Sequence, residues 1–236
     1  MTAVRTTLSS PQAQRAQPPA LMNGDRLTRA EFERRYSAMP QVKKAELIDG
    51  IVYMPSPVRF RSHGHPHLSL SAWIATYASK TPGLNDFGDN ATTRLDEHNE
   101  FQPDVLLMLP KRVGGLAVVD EDDYVSGPPT LACEIAASSV SIDMHLKLNV
   151  YRRSGVLEYL VWRTEDQAVE WFALREGRYV AMPADANGYL KSEQFPGLWL
   201  NVTALLKGDL AGLLKGVDEG TASAEHAEFV KRLQAP

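Results

Sequence analysis

The stretch LACEIAASSVSIDMHLKLNVYRRSGVLEYLV, Leu131 to Val161, decides how the chain is read. It opens on a short apolar run of strand length and passes through a turn of small polar residues. A mostly apolar helical pattern follows, stopped by Gly155, and a second apolar run, VLEYLV, closes it. A buried strand, a helix and a second buried strand thus follow one another. Glu134 stands out, because a carboxylate in an apolar strand is costly unless a cation or hydrogen-bonding partner compensates it. Ser138, Ser139 and Ser141 can cap the helix, and Ile142, Leu146 and Val150 are its expected core stripe. Asp143, Lys147 and Tyr151 recur every four residues and so share one row beside that stripe. Asp143 and Lys147 read equally as a solvated ion pair, worth only about 0.3–0.5 kcal/mol.

At 236 residues the chain is expected to form one domain with tails. The residues 1–26 are rich in Gln, Ala, Pro, Ser and Thr and read as a disordered leader. A domain over 27–206 and a helical C-terminal extension over 207–236 complete the expected organisation. No apolar run approaches the roughly 18 residues that span a bilayer, and the N-terminus lacks the apolar core of a signal peptide. A single cysteine, Cys133, excludes an intramolecular disulfide and fits a reducing cytoplasm. A formal charge of -4 argues against indiscriminate coating of nucleic acid and leaves room for a local basic patch.

Upstream, Thr28 and Glu31 predict a capped helix with Phe32, Tyr36 and Met39 on one face. AELIDGIVYM predicts a hairpin around Asp49-Gly50, with Glu46 at its start, where a solvated charge is the bland alternative. His63, His65 and His67 alternate, but a closed zinc site needs four well-placed ligands, and Gly64 and Pro66 suggest a loop entering a helix. From His67 on, Leu70, Trp73, Ile74 and Tyr77 follow helical spacing, which puts His67 at the helix N-terminus. Pro103-Asp104 opens the apolar strand Val105 to Leu109, where Asp104 is either a turn former or a site residue. Asp120 to Asp123 read as a solvated loop. VLEYLVW and AVEWFALREGRYV predict two adjacent strands; Val202 to Leu214 and Ala222 to Leu233 predict short helices, the last amphipathic.

Glu46, Asp104 and Glu134 thus fall at or beside strands, with Lys147 on the helix behind. Carboxylates on adjacent buried strands repel unless a cation lies between them, and a hard cation such as magnesium prefers oxygen ligands. The segments AELIDGIVYM, QPDVLLM, EIAASSVSIDMHLKLNVYRRSGVLEYLV and FPGLWLNV resemble the Uma family of restriction-endonuclease-like proteins, within the PD-(D/E)XK nuclease superfamily. The resemblance runs from about Thr28 to Leu206. It implies an α/β, restriction-endonuclease-like core, a central mixed β-sheet flanked by helices, and a metal-dependent endonuclease acting on DNA. It also implies Mg²⁺ (or Mn²⁺) held by Glu46, Asp104, Glu134 and the Ile135 carbonyl. His67 matches the histidine before the second helix. Where the superfamily places a lysine two residues after the acid, this chain has Ala136, which points to Lys147 as a migrated lysine positioned by Asp143. Tyr151 is read as core packing rather than a phosphate contact. Two other functions stay open: a non-catalytic nucleic-acid or protein-binding module on the same fold, and a hydrolase of small phosphate esters. Two-fold pairing into a homodimer is a further expectation, because cutting both strands often pairs two sites.

Overall fold

Alternation along Leu131–Ala136 sorts the chain into two layers of core. Leu131, Cys133 and Ile135 share one apolar cluster, and Ala132 and Ala136 belong to another. Glu134, two residues from each alanine, is therefore on their face. The computed structural model of the protein describes residues 17–55 and 57–235. Within them, one sheet takes β1 (Glu46–Ile48), β2 (Ile51–Tyr53), β4 (Thr93–Asp96), β5 (Asn99–Phe101), β7 (Val118–Val119) and β8 (Val125–Ser126), in the order β2-β1-β5-β4-β8-β7. The other takes β3 (Phe87–Asp89), β6 (Val105–Leu107), β9 (Leu131–Ala136), β10 (Glu158–Arg163), β11 (Ala168–Arg175) and β12 (Arg178–Ala181), in the order β12-β11-β10-β9-β6-β3. A two-stranded ribbon joins β13 (Tyr189–Lys191) and β14 (Trp199–Asn201). Both large sheets are mixed: β9 runs parallel to β10, and β4 parallel to β8. The architecture is α/β, with the mixed strands divided over two sheets where one central sheet was expected.

The helices are α1 (Arg29–Tyr36), α2 (His65–Ser79), α3 (Leu148–Ser154), α4 (Val202–Lys207), α5 (Leu210–Thr221) and α6 (Ala224–Gln234). Helix α2 lays Leu70, Trp73, Ile74 and Tyr77 on the Leu131 face of β9. Leu213, Val217, Phe229 and Leu233 from α5 and α6 enter the same core. The segment after residue 206, expected as an extension, is thus built into the main core. On the other face, Val150 and Tyr151 of α3 pack with Ala132, Tyr159 and Val161, and with Ile48 and Phe101 of the first sheet. This is where the two sheets meet, and it is the face that carries Glu134.

The Asp49-Gly50 hairpin forms as expected, with φ of 51° and 73° at the two turn residues, as a type I′ turn needs. Thr28 precedes α1 in an extended conformation, but its side chain makes no cap; Glu31 is instead drawn to Arg34 and Arg35. The expected leader does not extend over residues 17–26, which are tied to the domain: Leu21 is buried, Gly24 N–H donates to the Val52 carbonyl, and Arg26 bridges to Ile51. Its first sixteen residues lie outside the described residues. Two short segments are wound as π-helix, Phe60–Gly64 leading into α2 and Ile142–Lys147 leading into α3. Across the second, Leu146 is exposed while Asp143 and Lys147 are buried, the reverse of the expected core stripe. Apolarity ranks leucine above lysine for burial, but a lysine whose ammonium is held by carboxylates can be buried.

Candidate active site

Strand β1 begins at Glu46, whose Oε1 accepts from the Gln102 backbone N–H at 2.9 Å and from Lys147 Nζ at 3.0 Å. From the second sheet, β9 presents Glu134, whose Oε1 accepts from Lys147 Nζ at 3.0 Å and from the Tyr151 hydroxyl at 2.9 Å. Asp143 completes the cage, with Oδ1 3.7 Å from the same ammonium and Oδ2 accepting from the Ser139 hydroxyl. All four charged side chains are buried. Asp104 stands one residue before β6, which pairs antiparallel with β9 through Val105 and Cys133. Its Oδ2 accepts the Ile135 N–H at 2.8 Å. Glu46, Asp104, Glu134, Asp143 and Lys147 line a cavity of about 850 Å³.

The charges decide what each acid does. Burial pushes Glu46 upward, but Lys147, Lys44 and the Gln102 N–H outweigh it and hold the carboxyl below its usual range. Burial also opposes ionisation of Asp104, and there His63, Lys44 and the Ile135 N–H win, so it too is lowered. At Glu134 burial prevails: with Asp143, Asp104 and Glu46 nearby, its pKa rises to about 8 despite Lys147. Lys147 keeps its proton firmly, because the surrounding carboxylates overcome its desolvation. Tyr151, read as packing, does pack between Phe101 and Tyr159 and also anchors Glu134.

Of the expected site residues, Glu46, Glu134, Asp143 and Lys147 converge, and Asp104 and Ile135 border them in the same cavity. His67 does not face that cavity. Its Nε2 lies 2.9 Å from the Asp104 backbone carbonyl. His63 does, with Nε2 3.3 Å from Asp104 Oδ2. Helical spacing after His67 misplaced the helix start, because the π-wound turn and α2 are continuous from Phe60. His65 lines a different cavity, so the three histidines do not share a site. Lys44 was missed altogether: its Nζ donates to the Gln102 carbonyl at 2.9 Å and lies 3.6 Å from Asp104 Oδ1. Its signal was present, since residues two apart in an extended segment share a face, and Lys44 precedes Glu46 by two.

Whether these residues suit a divalent cation can be asked of the donors. Among the described residues no three His, Cys, Asp or Glu side chains already stand in a metal-holding group. Lys147 takes the space between Glu46 and Glu134. Yet Asp104 Oδ1 is buried and accepts no hydrogen bond, with Lys44 Nζ held 3.6 Å away, and such a carboxylate oxygen beside further carboxylates is a hard donor of the kind magnesium selects. The donor chemistry fits.

A model of the Uma2 family, described as "Putative restriction endonuclease", matches residues 29–203. The chain belongs to the Uma2 family. The match covers every site residue above and stops before α5 and α6, so this Uma2 protein builds part of its main core beyond the matched segment. Among solved structures it is similar to a protein from Anabaena variabilis described as "a putative nuclease belonging to DUF820", at 12% identity and a TM-score of 0.54. That likeness covers 74% of this chain and 96% of the other and concerns the fold. A comparison with curated proteins gives no match.

Proposed function

We propose that this Uma2 protein is a divalent-cation-dependent endonuclease that hydrolyses DNA phosphodiester bonds. Membership of a family described as "Putative restriction endonuclease" supports a nuclease. The observation that carries the reading is the buried Lys147 ammonium, clasped by Glu46 and Glu134 beside Asp104 in one cavity. Asp104, Glu134, Glu46 and the Ile135 carbonyl would hold Mg²⁺ or Mn²⁺. Bound there, such a cation supplies polarisation of a phosphoryl oxygen and a lowered pKa for a water. Lys147 offers a fixed positive charge and N–H donors to the oxygens on which charge develops. Tyr151 and the Gln102 N–H aim Glu134 and Glu46, while His63 and the Ile135 N–H aim Asp104.

The test uses supercoiled plasmid, linear duplex, single strands and a small phosphodiester, with Mg²⁺, Mn²⁺, Ca²⁺ or EDTA. Cleavage of DNA that needs Mg²⁺ or Mn²⁺ and disappears in Asp104→Asn is the expected result. Binding in Ca²⁺ without cleavage in any metal would instead assign a non-catalytic nucleic-acid module. That second reading is favoured by one observation, that Lys147 already neutralises the carboxylates. Turnover of the small ester alone would assign a phosphoesterase. A sizing measurement decides whether two copies pair to present two sites to two strands.

A further inference from the structure

We propose that Arg59, Phe60 and Arg61 form a clamp for an unpaired nucleotide, which makes single-stranded or locally unpaired nucleic acid the preferred substrate class. The inference rests on the nucleic-acid reading above and deepens it. A second cavity, of about 590 Å³, adjoins the first, and the two share Ser62 and Glu165 in their linings. Arg59 lines the first and Arg61 the second. Between them Phe60 is 76% exposed, more than any other large apolar side chain among the described residues. Its phenyl ring belongs to none of the apolar core clusters and lies 6.4 Å from the His65 ring. It suits a partner that alternates anion and flat ring: phosphate, base, phosphate.

The second cavity is built for the flanking phosphate. Arg61, His65 and Lys207 line it, and among the described residues neither arginine of the clamp nor Lys207 forms an ion pair. Glu165 is the single acid in its lining. Trp162 also lines it, and its buried indole N–H has no acceptor. In a protein of net charge -4, Arg61 and Lys207 with the single acid Glu165 make the second cavity a local basic patch that the overall charge does not reveal. The ring discriminates by structure: a paired base has its faces stacked within the duplex, whereas an unpaired base offers one to Phe60. The reactive phosphodiester would then lie in the first cavity and its neighbour in the second.

The test measures anisotropy of a fluorescein-labelled single strand and of its duplex, in Ca²⁺ and in EDTA, over a series of salt concentrations. Wild type is compared with Phe60→Ala, with the Arg61→Ala/Lys207→Ala pair, and with Val180→Ala on edge strand β12 as control; thermal melts confirm that each is folded. Phe60→Ala is expected to weaken single-strand binding at least about fivefold, with less effect on duplex and none on the salt slope. The paired substitution is expected to lower that slope by about 0.7 for each phosphate no longer neutralised. If Phe60→Ala binds single strand as wild type does, the clamp is overturned, whether or not DNA is cleaved. If wild type binds single strands through Phe60 but cleaves nothing, the clamp stands and the nuclease reading fails. If wild type binds no DNA, or Phe60→Ala loses only self-association on a sizing column, both the clamp and its substrate class are refuted.

Discussion

Replacing Lys147 by methionine keeps most of the side-chain volume and removes the charge. Glu46 Oε1 and Glu134 Oε1 each lie 3.0 Å from Nζ, so the two oxygens are within twice that distance of one another. With both ionised and nothing between them, their repulsion at that separation is about 3 kcal/mol at an effective dielectric constant near 20. The loss of attraction adds to this, and breaking a buried ion pair by removing one partner typically costs about 3–5 kcal/mol. The cost must depend on pH, because protonating either carboxyl removes the repulsion. Urea denaturation of Lys147→Met is therefore expected to show a loss of about 3–5 kcal/mol near pH 8.5 and a clearly smaller one near pH 5.5. A second substitution, Glu134→Gln, should restore much of the loss at the higher pH, although it leaves activity abolished. Equal losses at both pH values, or none, would refute the idea that Lys147 is the counterion of this cage.

Other perturbations separate aiming from packing. His63→Ala removes the group facing Asp104 Oδ2 and should lower DNA cleavage at least about tenfold with little change in Tm, whereas His67→Ala loses a hydrogen bond to a backbone carbonyl, about 1 kcal/mol, and should show first in Tm; the opposite ranking would return His67 to the site. Burial raises Glu158 from 4.5 to about 7, against the Ser192 hydroxyl and the Glu193 and Gln194 N–H groups that favour its carboxylate. A carboxyl raised on folding holds its proton better in the folded chain, so its contribution is complete below about pH 4.5 and is lost as pH rises through about 7, a swing on the order of 3 kcal/mol. Glu158→Gln should remove that swing from the difference in urea stability between pH 4.5 and about 8, and an unchanged pH profile would count against it. A Cβ at Gly220 would lie 2.1 Å from the Gly197 carbonyl oxygen, so Gly220→Ala should cost about 1–3 kcal/mol if α5 is as tightly docked as it stands; an unaltered denaturation midpoint would show that it is not.

Much of this was legible from residue order, for physical reasons that differ by element. The β9–α3–β10 unit declared itself because period and length distinguish buried strands from a helix, and Gly155 and Asp49-Gly50 fell where positive φ is needed. The carboxylates were legible because an acid in an apolar run has to be explained. Lys147 was placed by family pattern, while local chemistry alone could not tell a solvated i,i+4 pair from a cage. What escaped depended on residues distant in sequence. Lys44 gains its meaning only from Asp104, sixty residues on, and Gln102. His63 and His67 differ by one helical turn, which the π winding before α2 obscures. The packing of α5 against α2 and β14, with α6 beside it, leaves no mark in the sequence beyond an amphipathic pattern.

Both π-wound segments border the first cavity, one carrying Ser62 and His63, the other Asp143 and Lys147. A π turn holds one residue more than the α turn it replaces. Each is thus the mark of a single inserted residue that the backbone absorbs without breaking the helix. Removing one residue between Asp143 and Lys147 would let the helix rewind smoothly, at little cost to its own hydrogen bonds. Asp143 and Lys147 would then stand three residues apart instead of four, still neighbours on one face but about 60° from one another around the axis. A change that leaves the helix intact by spectroscopy would thus shift the Asp143 carboxylate around the axis while keeping it beside Lys147, so at this site the winding of the backbone sets where the ammonium meets its acids.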